Sequence, residues 1–295
     1  MLWTRSALCA CASAIALAPL IADAQVGSPV SATTPRDSDT VSGAGSPPQL
    51  EPGIVERDTS GFTLSLGHTQ WRGDFGSPSE VLINSTQATA RYRSGNIRVT
   101  ASLPYMRIRS DGAVFAGING APLVVAPGVV MARRIRHGFA DATLGAAWLV
   151  PLGNAGFDLE LSGRVKLPTA ADSTQLSTGK TDYAVGAELS TVAGRFVPIA
   201  SASYRIFGDP AGWDIRNGFE VSAGSGYRIG GSALAIVTYE YAERTSAFIR
   251  NSHQIVGALS APVSNGRLRL SAFGSVGLSK GAPDTSFGVS AGVNF

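Results

Sequence analysis

The fold is decided by the stretch Phe157-Asp158-Leu159-Glu160-Leu161-Ser162-Gly163-Arg164-Val165-Lys166-Leu167-Pro168, in which apolar and charged residues alternate. Alternation with period two indicates a β-strand with two different faces. The flanking segments 138–145 and 180–189 alternate in the same way. A soluble sandwich would bury the apolar face, whereas a membrane barrel would turn it to lipid and place the charges in a wet lumen.

The composition favours a membrane protein without membrane helices. Of the 295 residues, 44% are hydrophobic and only 15% are charged, and the formal net charge of +3 gives little reason to expect nucleic acid as a partner. After residue 24 there is no apolar run of about 20 residues, the length that a membrane helix needs. Since only helices and closed barrels satisfy their backbone groups in lipid, a barrel accounts for both observations.

The first 59 residues are expected to lie outside the folded domain. Residues 1–24 have the pattern of a signal peptide, with Arg5, an apolar run and the cleavage site Ala22-Asp23-Ala24. Both cysteines fall within it, so the mature chain would have no thiol for disulfides or metals. Residues 25–59 contain five prolines and no aromatic residue. Such a segment has too little apolar surface to fold, which predicts a disordered periplasmic linker.

Residues 60–295 read as one outer-membrane barrel domain. Tight hairpin turns such as Gly95-Asn96, Ala193-Gly194 and Asn265-Gly266 alternate with long polar loops. Short turns at one end, long loops at the other and an even strand number are typical of outer-membrane barrels. We therefore predict an all-β, transmembrane, antiparallel up-and-down β-barrel of about twelve strands in the bacterial outer membrane. The predicted strands are 61–72, 84–94, 97–109, 139–151, 156–168, 180–192, 195–206, 217–229, 232–243, 252–264, 267–279 and 285–295.

Turn positions also predict the pairing between strands. Pairing across Asn265-Gly266 sets Val263 opposite Leu268, and pairing across Ala193-Gly194 sets Tyr183 opposite Tyr204. Aromatic residues then fall into two rows, as expected at two membrane interfaces. The last strand alternates and ends on Phe295. This resembles the signal by which the barrel assembly machinery recognises its substrates, so we expect Phe295 to serve in assembly.

The same pairing predicts a row of charges on the lumen face near the extracellular end. It places Asp141 opposite Lys166, Lys166 opposite Asp182 and Asp182 opposite Arg205. Such a row either holds the lumen wall together or selects permeating ions, and the sequence supports both interpretations equally. Further charges are expected to face the lumen, among them Glu160, Arg164, Glu188 and Arg269.

The longest loop, 110–138, contains two features of interest. Residues 114–131 are nearly all apolar or glycine, which suggests either a constriction folded into the barrel or a hairpin extended beyond the membrane. Arg133, Arg134 and Arg136 form an extracellular basic cluster. It could bind lipopolysaccharide phosphates, attract anionic solutes or simply be solvated.

Three motifs resemble an outer-membrane family labelled as the meta-pathway of phenol degradation. They are Leu103-Pro104-Tyr105, residues 138–145, and Lys166-Leu167-Pro168-Thr169 followed by residues 177–183. The resemblance covers roughly the third to the sixth strand, and Ala170 stands where the family usually has glycine. The resemblance implies a transporter of small compounds, aromatic ones among them, and brings no catalytic residues.

The expected function is a channel or transporter for small solutes, aromatic or anionic, working in outer-membrane lipid. The alternatives are an outer-membrane enzyme that hydrolyses lipid or peptide, and a structural barrel. An enzyme is not expected, because the three histidines form no metal-binding pair. Ser252 and His253 are adjacent on a strand and would point to opposite faces. No cofactor, metal site or catalytic residue is predicted.

Overall fold

The computed structural model describes residues 60–76, 79–126, 131, 134–152, 156–230, 232–263 and 266–295. The predicted signal peptide and linker lie outside the described residues, as does Arg133. Thirteen described strands form one antiparallel sheet. They are β1 Gly61–Gly73, β2 Val81–Ser94, β3 Ile97–Arg109, β6 Ile135–Phe139, β7 Ala142–Val150, β8 Phe157–Leu167, β9 Asp182–Thr191, β10 Phe196–Ile206, β11 Gly218–Ile229, β12 Ala233–Ala242, β13 Ser252–Val263, β14 Leu268–Gly277 and β15 Thr285–Asn294. Two short strands, β4 Ala113–Ala116 and β5 Pro122–Ala126, form a separate hairpin.

The sheet closes into a barrel. Each strand pairs with its neighbour in sequence, and β1 pairs with β15 from Thr63 opposite Asn294 to Arg72 opposite Thr285. Strands β6 and β7 pair with successive parts of β3, so the two together occupy one position in the wall. The wall therefore has twelve positions, which confirms the predicted twelve-strand antiparallel barrel. No helix in the described part of the chain is long and apolar enough to cross a membrane.

A bulge interrupts the wall between β6 and β7. Tyr105 lies opposite Phe139, and Ser102 lies opposite Thr143. Between these pairs, β3 has two residues and the facing chain has three, so the facing chain has one extra residue. The extra residue turns two successive side chains inward, and both Ala140 and Asp141 are buried. This bulge aims Asp141 into the lumen.

The outer surface of the wall is apolar. Leu66 is 58% exposed, and aliphatic side chains on other strands are exposed to a similar extent. Surface of this kind is suited to lipid and would be costly in water. Exposed aromatic side chains lie near both rims, and several neighbouring ones contact each other across strands. The row near the short turns comprises Phe62, Tyr92, Trp148, Phe157, Phe196, Tyr227 and Phe295. The row near the long loops comprises Tyr105, Tyr183, Phe219, Tyr239 and Phe287.

The pairing predicted at the Asn265-Gly266 turn is confirmed, with Val263 opposite Leu268. The pairing predicted across Ala193-Gly194 is wrong by two residues. Ala193 forms two backbone hydrogen bonds with Phe196, which leaves Gly194 and Arg195 as the turn. A shift of two keeps every side chain on its predicted face, so the hydrophobic pattern could not detect it.

The apolar part of the longest loop folds into the barrel. Strands β4 and β5 are buried almost throughout, and a tight turn at Ile118–Gly120 joins them. At this turn, the Asn119 N–H donates to Thr143 Oγ1 (3.0 Å), and a Cβ on Gly120 would lie 2.9 Å from Pro104. Thr143 and Pro104 both face the lumen, so the hairpin tip lies inside it. The alternative, a hairpin extended beyond the membrane, is excluded.

The lipid-facing position of Leu66 is open to a direct test. Leu66→Arg should destabilise the barrel by about 2–4 kcal/mol, the cost of arginine on a barrel wall near the bilayer midplane. The change would be measured as the difference in unfolding free energy in lipid vesicles. Leu66→Ala, which removes area without adding charge, should cost clearly less. Equal losses for the two variants would contradict a lipid contact at this position.

Candidate functional site

A buried ion triad lies beside the bulge. Lys166 Nζ is 3.1 Å from Asp141 Oδ2 and 2.7 Å from Asp182 Oδ2. The three side chains are 0%, 0% and 1% exposed. Three of the four residues of the predicted row therefore meet, although Thr143, and not Asp141, lies opposite Lys166. The long lysine side chain spans the two-residue difference.

The triad also fixes two long loops. Asp141 accepts hydrogen bonds from the Ala170 N–H (3.0 Å) and the Ser177 hydroxyl (2.5 Å), both in loop 168–181. Asp182 accepts one from the Gly208 N–H (3.1 Å), in loop 207–217. Because both loops bond to the carboxylates, the position of each depends on the charged centre.

Loop 168–181 in turn holds the hairpin. The Ala116 N–H donates to the Leu176 carbonyl (2.7 Å), and the Leu176 side chain is fully buried. Arg136 donates to the Gln175 carbonyl (3.0 Å) and to the Gly112 carbonyl (3.3 Å), linking this loop to the base of the hairpin. The hairpin is thus clamped from one side through hydrogen bonds.

The predicted extracellular basic cluster needs correction. Arg136 is 1% exposed, and its guanidinium lies over the Phe115 ring at 5.9 Å. It faces inward because β6 has its even-numbered residues on the lumen side. Of the two described residues of the cluster, Arg134 has the expected exposed position, where its Nε lies 2.9 Å from Asp111 Oδ1.

Arg205 departs from the predicted row. Because of the two-residue shift it lies opposite Ala184 and not Asp182. Its guanidinium instead contacts Glu220 Oε1 (2.6 Å) and donates to the Glu243 carbonyl (3.0 Å). The charges near the long loops therefore form a triad and a separate pair.

The other predicted lumen charges all face inward. Glu160 pairs with Arg98 at 2.5 Å, and both side chains are buried. Glu188 lies opposite Glu160 on β9, and Arg269 donates to the Ser260 hydroxyl (3.3 Å). Arg164 is half-buried between Gly145 and Ala184, its partners on the adjacent strands.

Not all of the lumen is charged, contrary to the wet, charged interior expected from the sequence. Near the short turns, an apolar cluster occupies the wall formed by β10 and β12. It comprises Val197, Ile199, Leu234 and Ile236, with Phe273 packed against it. Buried polar and charged side chains lie on most of the other strands, so this apolar cluster differs chemically from the rest of the lumen.

Three cavities follow one another past the hairpin. The first, the mouth cavity, lies between the hairpin and the wall formed by β1 and β12–β15. It shares Pro122 and Arg205 with a middle cavity beneath the hairpin. The middle cavity shares Arg164 and Ala184 with a lower cavity, which also contains Glu160 and Glu188. The shared residues show that the three cavities are neighbours along the lumen wall.

Above the mouth cavity, the long loops form a basic vestibule, lined by Arg216, Asn217, Glu243, Arg244, Arg250 and Asn251. Among the described residues, no ion pair is formed by its three guanidinium groups. At another part of the rim, Lys280 Nζ contacts Asp74 Oδ2 at 2.7 Å. The hydrogen bond from Lys280 and that from the Gly76 N–H hold the pKa of Asp74 below its ordinary value, while Asp74 raises the pKa of Lys280.

The apolar side of the mouth cavity was not anticipated from the sequence. Trp71, Phe75 and Ile249 line it, together with Val124 of the hairpin. Trp71 lies at an odd-numbered position of β1, and the odd-numbered residues of that strand face the lumen. The alternation of the sequence could therefore have indicated that Trp71 faces the lumen. Phe75 and Ile249 lie in loops, where alternation gives no information.

The histidine rings contact tyrosine and threonine. His253 Nδ1 lies 2.5 Å from the Tyr239 hydroxyl, His137 Nδ1 lies 3.3 Å from the Tyr105 hydroxyl, and His68 Nδ1 lies 2.9 Å from Thr86 Oγ1. Ser252 faces the mouth cavity, whereas His253 faces outward. In the described part of the chain, no serine hydroxyl bonds to a histidine ring, and no group of histidine and acidic side chains could hold a metal ion.

The chain resembles solved outer-membrane barrels. An outer membrane channel from Pseudomonas putida F1 superposes with a TM-score of 0.61 at 11% identity, over 80% of this chain and 96% of that chain. The KdgM porin superposes with a TM-score of 0.50 at 10% identity, over 79% and 99%. A Salmonella typhi outer membrane phospholipase gives a TM-score of only 0.38 at 13% identity, over 79% and 90%, which carries no argument.

Comparison with family models and with curated proteins finds no match. At these identities the structural likenesses establish the fold alone. The chain therefore has the fold of an outer-membrane β-barrel, with a lipid-facing wall and a hairpin inside the lumen.

Proposed function

We propose that this protein is a passive outer-membrane channel for small solutes. The observation that carries the proposal is the route of three cavities past the hairpin, each sharing lining residues with the next. A twelve-strand barrel has an interior between those of side-chain-filled small barrels and open porins. The hairpin narrows this interior, so passage is limited to small molecules.

The chemistry of the route supports a channel over an enzyme. An enzyme of the serine-histidine type needs its nucleophile within hydrogen-bond reach of its base. Ser252 and His253 lie on opposite faces of β13, which does not provide that geometry. The motifs in 103–105, 138–145 and 166–183 support membership of the meta-pathway of phenol degradation family, and aromatic or anionic solutes belong to this proposal.

The buried triad has a structural role in the proposed channel. Its three side chains are out of reach of a solute in the described cavities, and its carboxylates hold the loops that clamp the hairpin. Of the two interpretations that the sequence left open, we favour the one in which the charges hold the wall together. Selection among permeating ions then depends on the charged side chains that line the cavities.

Two expected partners, the barrel assembly machinery and lipopolysaccharide, remain predictions. Phe295 packs near Phe62, with ring centroids 6.2 Å apart, and its N–H donates to the Phe62 carbonyl (2.9 Å). Its ring is otherwise exposed, as recognition by the barrel assembly machinery would require. Arg134 lies exposed at the long-loop rim, where it could meet lipopolysaccharide phosphates.

Removing the hairpin should open the channel. Replacing residues 113–126 by a short Gly-Ser linker should raise single-channel conductance in planar bilayers, because these residues fill the long-loop half of the lumen. The hairpin is also held by Thr245, which donates to the Val124 carbonyl (2.6 Å), and by Ser246, which donates to the Val125 carbonyl. Thr245→Val combined with Ser246→Ala should therefore increase the frequency of large openings. Unchanged conductance in both folded variants would contradict the proposed route.

The structural role of the triad predicts a loss of stability. Lys166→Met should cost about 3–5 kcal/mol, because it leaves two buried carboxylates without their counter-charge. Unfolding by urea in lipid vesicles would measure the loss. Lys180→Met is the matched control, since Lys180 lies exposed in loop 168–181. If both variants were equally stable, the triad would not hold the wall.

A further inference from the structure

We propose that Arg164 is an anion-binding site in the lumen, and that the solutes of the channel are small carboxylates with an apolar body. The inference rests on the proposed channel function and names its substrate class. Arg164 lines both the middle and the lower cavity, so a solute on this route passes it.

The guanidinium of Arg164 is available to a ligand. Its neighbours across the sheet are Gly145, which has no side chain, and Ala184, which has a small one, so space is left around it. Among the described residues it forms no hydrogen bond and no ion pair within 4 Å, and its charge interacts with Glu220 only at longer range. Lys166, two residues further along the same face, is fully occupied by two carboxylates. Lys166 and Arg164, on the same face of β8, therefore have different roles: Lys166 is part of the buried triad, and Arg164 is accessible to a solute.

The acidic groups nearest the route already have contacts. Glu220, in the middle cavity, is 2.6 Å from Arg205, and Glu160, in the lower cavity, is 2.5 Å from Arg98. Glu188 also lines the lower cavity and is not without an interaction partner. An arginine stays charged at any physiological pH and presents a planar fork that matches a carboxylate. Since no carboxylate of the described residues is in direct contact with Arg164, its guanidinium can form a direct ion pair with an incoming carboxylate.

Arginines precede this site along the route. The vestibule contains Arg216, Arg244 and Arg250 against one acid, Glu243. The mouth cavity contains Arg205, which reappears in the middle cavity. A mouth lined by one sign of charge concentrates ions of the opposite sign. Arg205 is paired with Glu220, so the excess of positive charge that favours anions lies in the vestibule and at Arg164.

The mouth cavity adds a requirement for an apolar body. Besides its arginines it is lined by Trp71, Phe75 and Ile249, which belong to a buried apolar cluster. Sites with a mostly apolar lining and a few placed polar groups bind ligands that combine both characters. A carboxylate attached to a ring or short chain satisfies the apolar side and the arginines together.

Ion selectivity in planar bilayers tests the anion site. In a KCl gradient, the reversal potential of the wild-type channel should show preference for chloride over potassium. Arg164→Glu should lower the anion-to-cation permeability ratio by about tenfold, since a single charge in a narrow lumen dominates the local potential. Arg109→Glu is the matched control, because Arg109 is exposed on the outer face of β3. It should leave the ratio unchanged.

Block of the chloride current tests the substrate class. Benzoate, which joins a carboxylate to an apolar ring, should block at lower concentration than acetate, and benzamidinium, similar in shape but cationic, should not block. Arg164→Gln should weaken the benzoate block about tenfold. It also serves if Arg164→Glu fails to fold, with the heat-modifiable band on gels as the check of folding.

The outcomes separate this inference from the proposed function. One informative result is that the wild-type protein conducts while the folded Arg164 variants keep the wild-type ion selectivity and benzoate block. That result would overturn the anion site and leave the proposed channel function standing. Equal block by benzoate and acetate would overturn the apolar-body requirement. Absence of current from both the wild-type protein and the variant lacking residues 113–126 would overturn the channel itself.

Discussion

Closure of the hydrogen-bonded wall is the constraint on which the rest of the structure depends. In lipid, every backbone N–H and C=O of the wall must find a partner within the protein, and pairing of β1 with β15 meets that requirement. Once the wall is closed, period-two alternation forces half of its side chains outward to lipid and half into a narrow lumen. The interior must then accommodate a high density of polar side chains in a small space.

The protein meets that demand by pairing most of its lumen charges with each other. Lys166 lies between two aspartates, Arg205 contacts Glu220, and Arg98 contacts Glu160. Removing a charge from water is costly unless a partner and further hydrogen bonds compensate it. In the triad, the loop donors Ala170, Ser177 and Gly208 complete that compensation. The buried charges inside the wall thereby also fix the positions of the loops at its rim.

Order at the rim explains how an apolar hairpin can occupy a polar barrel. The carbonyl of Leu176 and the side chain of Arg136 connect the hairpin to loop 168–181 on one side. The hydroxyls of Thr245 and Ser246 connect it on the other. Its apolar side chains pack with Trp71, Ile83 and Met106, lumen-facing residues near the long loops. The hairpin divides the long-loop half of the lumen, with the mouth cavity beside β1 and β12–β15 and the middle and lower cavities along β8 to β11.

The sequence by itself determined the strands, their number and the face of nearly every wall residue. It did so because a two-sided wall leaves a period-two pattern that survives without any knowledge of neighbours. The turn signal Asn265-Gly266 also predicted the register of β13 and β14 correctly, with Val263 opposite Leu268. The inward positions of Asp141, Lys166, Asp182, Glu160 and Arg164 could all be predicted in this way.

Only the tertiary structure decided which of those charges meet and which line a cavity. Alternation fixes register only to within two residues, so it could not distinguish Asp182 from Glu220 as the partner of Arg205. Nor could it place the hairpin, whose apolar residues would be buried in more than one arrangement. The availability of Arg164 depends on Gly145 and Ala184 across the sheet and on the route past the hairpin. These are contacts between segments distant in sequence, and they exist only once the barrel has closed.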